Sequence, residues 1–393
     1  MLKRAQLRDA PSGEWLDFQS PEAVLLARLP EEVGPLLERV EQFCRQGGYA
    51  AGYLAYEAAA AFDRAFPVAP EAEHGTVPLA VFGLFAAPQR RTRPEVARQA
   101  GGRWRLEESF DRYRDQIARL RREIGCGNVY QVNYTVRASG AAMQGDARLA
   151  AEAARAPFGA FLDLGSASVI SASPELFFEL EGSRLRSIPM KGTAARGKSP
   201  RGDDAQRRWL QESLKNRAEN LMITDMVRND LGRVALTGTV RTEDVFAVRD
   251  YATVWQMTSE VRAQTRASLG EVFAALFPAA SITGAPKLAS AALIHELETG
   301  PRGIYTGSIG FVAPHAQGFR AQFNVAIRTA WFDHTSGTGS YGVGGGIVWD
   351  SEAREEYAEI ATKMQVLSDV TRVAAVGAET AKDRTIYEIG DEI

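Results

Sequence analysis

Lys191 stands in Ser-Ile-Pro-Met-Lys-Gly-Thr-Ala-Ala-Arg-Gly at 187–197, after a run with strand character. Gly192 lets a ligand approach the backbone closely, and the Thr193 hydroxyl both donates and accepts hydrogen bonds. A lysine so placed holds an anion or, when neutral, acts as an amine nucleophile; the plain alternative is a surface lysine beside a turn. Glu356 and Glu359 are three apart on one helical flank, with Lys363 one turn beyond Glu359. Such carboxylates repel unless a cation lies near, and Mg2+, which prefers carboxylate and water oxygens, would serve; the alternative is a solvated acidic face tied to Lys363. Glu219 borders an apolar face with Met222 and Ile223, either snorkelling outward or reaching for a metal. Glu175 follows Ser173-Pro174 and precedes Leu176-Phe177-Phe178, so burial would raise its pKa and suit it to general acid work, unless it faces water from a strand edge. Arg328, in Asn-Val-Ala-Ile-Arg-Thr-Ala, is either a carboxylate clamp or an exposed arginine. Glycines 344–346 admit a carboxylate to backbone amides, or simply turn the chain.

These residues need elements to hold them. Residues 31–46 read as helix, 47–57 and 77–85 as strands, and the Pro- and Arg-rich 87–103 as an exposed connection. Phe110, Tyr113, Ile117, Leu120 and Ile124 recur at helical spacing after Ser109, a plausible N-cap, and a Gly-Cys-Gly run ends that helix. The strand at 128–137 alternates, with Tyr130, Val132, Tyr134 and Val136 on a packing face and Gln131, Asn133, Thr135 and Arg137 on a polar one. Residues 203–231 read as one helix, 234–240 and 253–261 as strands, and 269–277 and 288–298 as helices. Strands at 305–312, 322–332 and 339–349 lead into a long last helix at 352–371, followed by a loosely attached tail.

A chain of 393 residues exceeds the usual size of a single core, so two lobes or one composite body are expected. It divides into a short N-terminal lobe of the same composite fold at 1–95, a main body at 104–371 and a tail at 372–393. With 45% apolar and 24% charged residues and a net charge of −3, neither a nucleic-acid nor a membrane partner is indicated. No apolar run spans a bilayer and the start lacks the apolar segment of a signal peptide, so a cytoplasmic protein is expected. Cys44 and Cys126, and four scattered histidines, give neither a disulfide framework nor a zinc pattern.

Taken in order, Tyr130-Gln-Val-Asn133, Ser173-Pro-Glu175, Pro189-Met-Lys-Gly-Thr193, Glu219-Asn-Leu-Met222, Arg228-Asn-Asp-Leu231, Ser281-Ile-Thr-Gly-Ala-Pro-Lys287, Ile327-Arg328 and Gly345-Gly-Ile-Val-Trp-Asp-Ser351 resemble the landmarks of the chorismate-utilising enzymes. The resemblance implies an α/β (α+β type) body of two antiparallel sheets packed face to face, with helices outside. It also implies Mg2+ on Glu219, Glu356 and Glu359, bound to the ring carboxylate of chorismate with help from amides near Gly345. Arg328 and Tyr305 would hold the pyruvyl carboxylate, and Gly192, Thr193, Gln131, Gln256 and Thr283 would line the substrate.

Two positions choose within the family. Members that add water carry a lysine base where this chain has Gln131, which cannot take a proton from water, so ammonia is the expected reactant. Anthranilate-forming members usually have alanine at the position of Lys191, whereas lysine resembles the branch that forms 4-amino-4-deoxychorismate. The resemblance then implies that Lys191 attacks C2 of the ring while Glu175 protonates the departing C4 hydroxyl, and that ammonia expels the lysine. Neither cysteine suits a glutaminase nucleophile, so the ammonia is expected from a separate glutamine amidotransferase subunit. The alternatives are an anthranilate-forming enzyme, a non-catalytic chorismate-binding subunit, and a pyridoxal-phosphate enzyme using Lys191, the last lacking a phosphate-cradling loop. Gln256 departs from the family's usual histidine.

Overall fold

The computed structural model describes residues 1–67, 77–95, 102–141, 145–250 and 254–370. The proposed tail at 372–393 lies outside them. Alternating apolar runs build two ten-stranded sheets. The first runs in space through Gly284–Ala285, Gln131–Ala141, Thr338–Ile347, Thr329–Asp333, Ala167–Ser173, Phe158–Asp163, Arg4–Arg8, Trp15–Gln19 and Gln89–Arg91, with Arg103–Leu106 also beside Gln131–Ala141. The second runs through Met190–Ala195, Val254–Gln264, Arg184–Ile188, Leu176–Glu181, Gly318–Asn324, Ser308–His315, Tyr49–Leu54, Ala80–Phe85 and Ala23–Ala27, with Arg241–Asp250 beside Val254–Gln264. Every ladder is antiparallel.

The inner faces of the two sheets meet in one cluster, where Leu7, Phe18, Leu162 and Val169 of the first pack with Tyr53, Phe85, Ile309 and Phe311 of the second. Helices Pro30–Arg45, Leu214–Gly232 and Leu269–Leu276 cover the outside of the second sheet. Helices Phe110–Gly125, Lys287–Leu297 and Ala353–Lys363 cover the first. Strands buried on both faces follow from this layering. Thus Ala51 and Tyr53 of Tyr49–Leu54 face the other sheet while Ala50 and Leu54 face helices. This is the expected α/β sandwich of two face-packed antiparallel sheets with outer helices.

Several boundaries differ from the sequence reading. The single helix expected at 203–231 is two, Pro200–Glu212 and Leu214–Gly232. Ser213 lies at the joint in extended backbone and its hydroxyl caps the second helix by accepting from Asn216 N. No strand forms at 234–240; the exposed ladder beside Val254–Gln264 is Arg241–Asp250, whose charged sequence hid it. The stretch expected at 322–332 breaks after Asn324, because Arg328 takes a φ of +50°. The last helix stops at Lys363 and tightens into a short 3-10 turn, Met364–Val366. Part of the expected connection at 87–103 is the edge strand Gln89–Arg91. Ser109 caps its helix as expected, at 3.4 Å from Arg112 N.

Candidate active site

The lysine sits on a β-bulge. Met190 pairs with Thr258 and Thr193 with Gln256, so Lys191 and Gly192 stand together opposite the single Met257. Gly192 takes a φ of +93°, and a Cβ there would lie 3.0 Å from Asn216 Cβ, so the bulge requires glycine. Asn220, 1% exposed on helix Leu214–Gly232, donates from Nδ2 to the carbonyls of Lys191 at 3.4 Å and Met257 at 3.3 Å. Gln256 donates from Nε2 to Gly192 O at 3.0 Å and accepts from the Thr193 hydroxyl at 3.1 Å.

Facing the bulge is the end of the central ladder of the first sheet. Gly346 pairs with Asn133, Gly344 with Thr135 and Gly342 with Arg137, so these residues and Gln131 share one face. The polar face expected of this strand is therefore buried against other protein groups, with Gln131 1%, Asn133 7% and Thr135 6% exposed, while Tyr130 at its mouth is 67% exposed. A Cβ on Gly346 would lie 2.8 Å from Gln131 Nε2 and 3.0 Å from Lys191 Nζ, which brings the amine and the amide to the same spot. Among the described residues Gln131 Nε2 is buried without a hydrogen-bond partner, a donor that a ligand can use.

Burial of its amine lowers the Lys191 pKa. Glu219 opposes this, Lys363 adds to it, and Glu175 and Glu359 oppose it. Glu175, 4% exposed, is pushed up by burial to about 7, against the Ser281 hydroxyl that donates to Oε1 at 2.7 Å, the charge of Lys191 and the Met190 amide. Amine and carboxyl are thus both moved toward their neutral forms. The sequence missed Ser281 as the partner of Glu175 although its motif stood out, because the two are 106 positions apart.

On the last helix, burial raises the Glu356 pKa, and its Oε1 accepts from the Ser351 hydroxyl at 2.7 Å. Burial also pushes Glu359 up, but Lys363, which pairs with it at 2.7 Å, together with Lys191 and Lys215 brings it below the usual range. Lys363 further donates to Gly344 O at 2.6 Å. A Cβ on Gly345 would lie 3.3 Å from Glu356 Oε2, so the glycine admits that carboxylate to the strand. Among the described residues no three acidic, His or Cys side chains are gathered at ligand distance. The donor set is nonetheless that of a hard cation: Glu356 is repelled by Glu359, and Glu219 lies within electrostatic range of Lys191.

The remaining predicted residues lie further along the same face or beneath it. Tyr305 packs its ring on Gly342 and borders a cavity of about 310 Å³ shared with Thr135, Arg137, Thr329 and Ser340. Lys191 and Glu175 do not line that cavity. Gly342 and Gly346 are four residues apart, roughly 13 Å along the strand. The carbonyl of half-buried Arg328 accepts from Ala172 N at 2.9 Å, while its guanidinium makes no hydrogen bond or ion pair among the described residues and is available to an anion. Thr283 is fully buried; its hydroxyl donates to Ala279 O at 3.1 Å and its carbonyl accepts from Asn133 N at 2.9 Å, which fastens its loop to the ladder. Arg302, which the sequence reading passed over, pins the same region through Glu298, Ile282 O, Asn133 O and the ring of Tyr56. Asp230 of the Arg-Asn-Asp-Leu motif accepts from Lys287 at 2.9 Å, tying two landmark motifs together.

The family model described as chorismate binding enzyme matches residues 27–369. Aminodeoxychorismate synthase of Streptomyces griseus is 39% identical over 297 residues, covering 73% of this chain and 40% of that protein. Aminodeoxychorismate synthase component 1 of Klebsiella aerogenes is 38% identical over 267 residues, covering 66% of this chain and 58% of that protein. The chain thus spans 40% to 58% of the length of these curated relatives. The crystal structure of anthranilate synthase component I from Streptococcus pneumoniae superposes with a TM-score of 0.75 at 20% identity, covering 92% of each chain, and shows the same fold. No helix among the described residues is long and apolar enough to cross a membrane.

Proposed function

We propose that this chain, which belongs to the family of chorismate binding enzymes, aminates chorismate to 4-amino-4-deoxychorismate through a covalent adduct on Lys191. The observation that carries this reading is the pairing of a buried lysine whose pKa is lowered with a buried Glu175 whose pKa is raised to about 7. A neutral amine is a nucleophile and a neutral carboxyl is an acid, so the pair holds one proton in its working state. The Lys191 amine attacks C2 of the ring, the two ring double bonds shift, and the C4 hydroxyl leaves as water with the Glu175 proton. Ammonia then adds at C4, the double bonds return, the C2–N bond breaks, and the surplus proton passes to Glu175. Pyruvate is retained because the C3 ether is never cleaved.

Gln131 Nε2 offers its unused donor to the substrate, and Arg328 offers its unpaired guanidinium to a carboxylate. Glu219, Glu356 and Glu359 would hold Mg2+, which when bound would supply positive charge for the ring carboxylate. Ammonia would come from a separate glutamine amidotransferase subunit, in keeping with the words component 1 in the name of the Klebsiella relative.

The test is product analysis by mass spectrometry after incubating the chain with chorismate, Mg2+ and an ammonium salt. The expected product is aminodeoxychorismate, with Lys191→Ala slowing its formation and Glu175→Gln costing about 10²–10⁴-fold in rate. Anthranilate from the wild type would refute the adduct; unchanged chorismate would refute catalysis.

A further inference from the structure

We propose that Asn220 and Gln256 act as a two-amide clamp that positions Lys191, a role that rests on the reading of Lys191 as the nucleophile. Bulges bend a strand and re-aim a side chain, and an inserted residue disrupts the ladder around it. In this bulge the carbonyls of Lys191 and Gly192 both accept from side-chain amides, Lys191 O from Asn220 Nδ2 at 3.4 Å and Gly192 O from Gln256 Nε2 at 3.0 Å. The two amides arrive from different elements, Asn220 from helix Leu214–Gly232 and Gln256 from the neighbouring strand Val254–Gln264.

Each amide is itself fixed. The Ser259 hydroxyl donates to Asn220 Oδ1 at 2.6 Å, so the Asn220 NH2 group must face the carbonyls of Lys191 and Met257. The Thr193 hydroxyl donates to Gln256 Oε1 at 3.1 Å, which turns the Gln256 NH2 group onto Gly192 O. Gln256 is 8% exposed and spends both ends of its amide on the bulge, so it is a positioning residue here and not a group aimed at substrate. A lysine has a flexible four-carbon stem, and fixing the backbone at its root limits where the amine can go. The clamp therefore acts on the rate of attack more than on the binding of substrate.

The experiment compares Asn220→Asp, Gln256→Glu and Gln256→Leu with the wild type, and includes Gln256→His, which restores an N–H donor. Asp and Glu keep size but exchange the donor for a carboxylate whose charge also acts on Lys191, so Gln256→Leu, which removes the donor without adding charge, separates the loss of the hydrogen bond from the effect of charge. Two readouts are taken on folded protein, checked by thermal unfolding. The first is the steady-state split between kcat and KM for chorismate. The second is the rate at which an amine-acylating reagent modifies Lys191, followed by peptide mass, which needs neither substrate nor turnover.

The expected result is a loss of kcat of about a hundredfold for the donor-less variants, with KM changed less than about threefold. The Lys191 acylation rate should also change by about tenfold, and Gln256→His should recover part of both. A rise in KM at unchanged kcat would overturn the clamp and return Gln256 to the substrate. A fall in unfolding temperature with both readouts at wild-type values would leave the amides a merely structural role and would also overturn it. If the wild type turns over no chorismate, the functional reading fails, while the acylation rates still decide whether the amides hold the lysine.

Discussion

Glu175 is the residue at which burial and chemistry can be separated by pH. Its carboxyl binds a proton more tightly in the folded chain than in the unfolded one, because burial lifts it from 4.5 to about 7. The folded state therefore holds the extra proton between those values, and stability falls as pH rises through that window. Glu175→Gln keeps an acceptor for Ser281 and removes the charge, so its unfolding free energy should equal that of the wild type near pH 4.5. By pH 8 it should exceed the wild type by on the order of 3 kcal/mol. Urea unfolding at a series of pH values measures this directly, and a difference independent of pH would contradict the burial account. Gly346 gives the converse case. The atoms nearest to a Cβ there are the far ends of Gln131 and Lys191, so Gly346→Ala should leave stability unchanged or raise it by about 0.5 kcal/mol. It should lower kcat/KM by about tenfold or more, because the intruding methyl displaces the amine. Stability and kcat/KM measured on one preparation would test both halves.

At the scale of elements, the site is held by long-range polar joints that local pattern does not reveal. Lys191 and Glu175 were legible because a Gly-Thr pair and an apolar run flank them within a few positions. The bulge was not, since it exists only in the register of Met190–Ala195 against Val254–Gln264, some 60 residues downstream. The joint in 203–231 was masked for a related reason: helical spacing continues across Ser213, and only the cap geometry shows that the chain stops and restarts there. The ladder Arg241–Asp250 was missed because an edge strand with no buried residue carries no alternation. Arg302 is the strongest of the hidden joints. Its side chain is 3% exposed and joins Glu298, Ile282 O and Asn133 O, holding helix, loop and ladder in one arrangement. Arg302→Met would leave Glu298 buried without its counter-charge and should cost about 3–5 kcal/mol in urea denaturation. A loss below about 1 kcal/mol would mean that the carbonyls and Glu298 find water instead.

Across the whole molecule the same mixing of distant segments governs what can be cut away. Residues 1–95 looked like a lobe in the sequence because the Pro- and Arg-rich stretch that follows marks a change of composition. As parts of one composite fold, their strands complete both sheets: Arg4–Arg8 pairs with Phe158–Asp163 in the first, and Tyr49–Leu54 pairs with Ser308–His315 in the second. Trp15, Phe18, Tyr53, Phe82 and Phe85 are each below 2% exposed, and their contacts lie across the sandwich as well as within the N-terminal segment. Removing them would uncover the facing residues Phe161, Phe311 and Phe323, at about 1.5–3 kcal/mol for each large apolar side chain left in water. Three such losses together are comparable to the whole stability of a typical domain. It would also open strands Phe158–Asp163 and Ser308–His315 as unpaired edges, which favours association. A chain beginning at residue 104 should therefore aggregate or remain unfolded, although it retains Lys191, Glu175, Glu219, Glu356 and Glu359. Size-exclusion chromatography and circular dichroism of that fragment decide the point. A monomer with cooperative unfolding would show that the catalytic body carries its own core, and that the N-terminal strands are an addition to it.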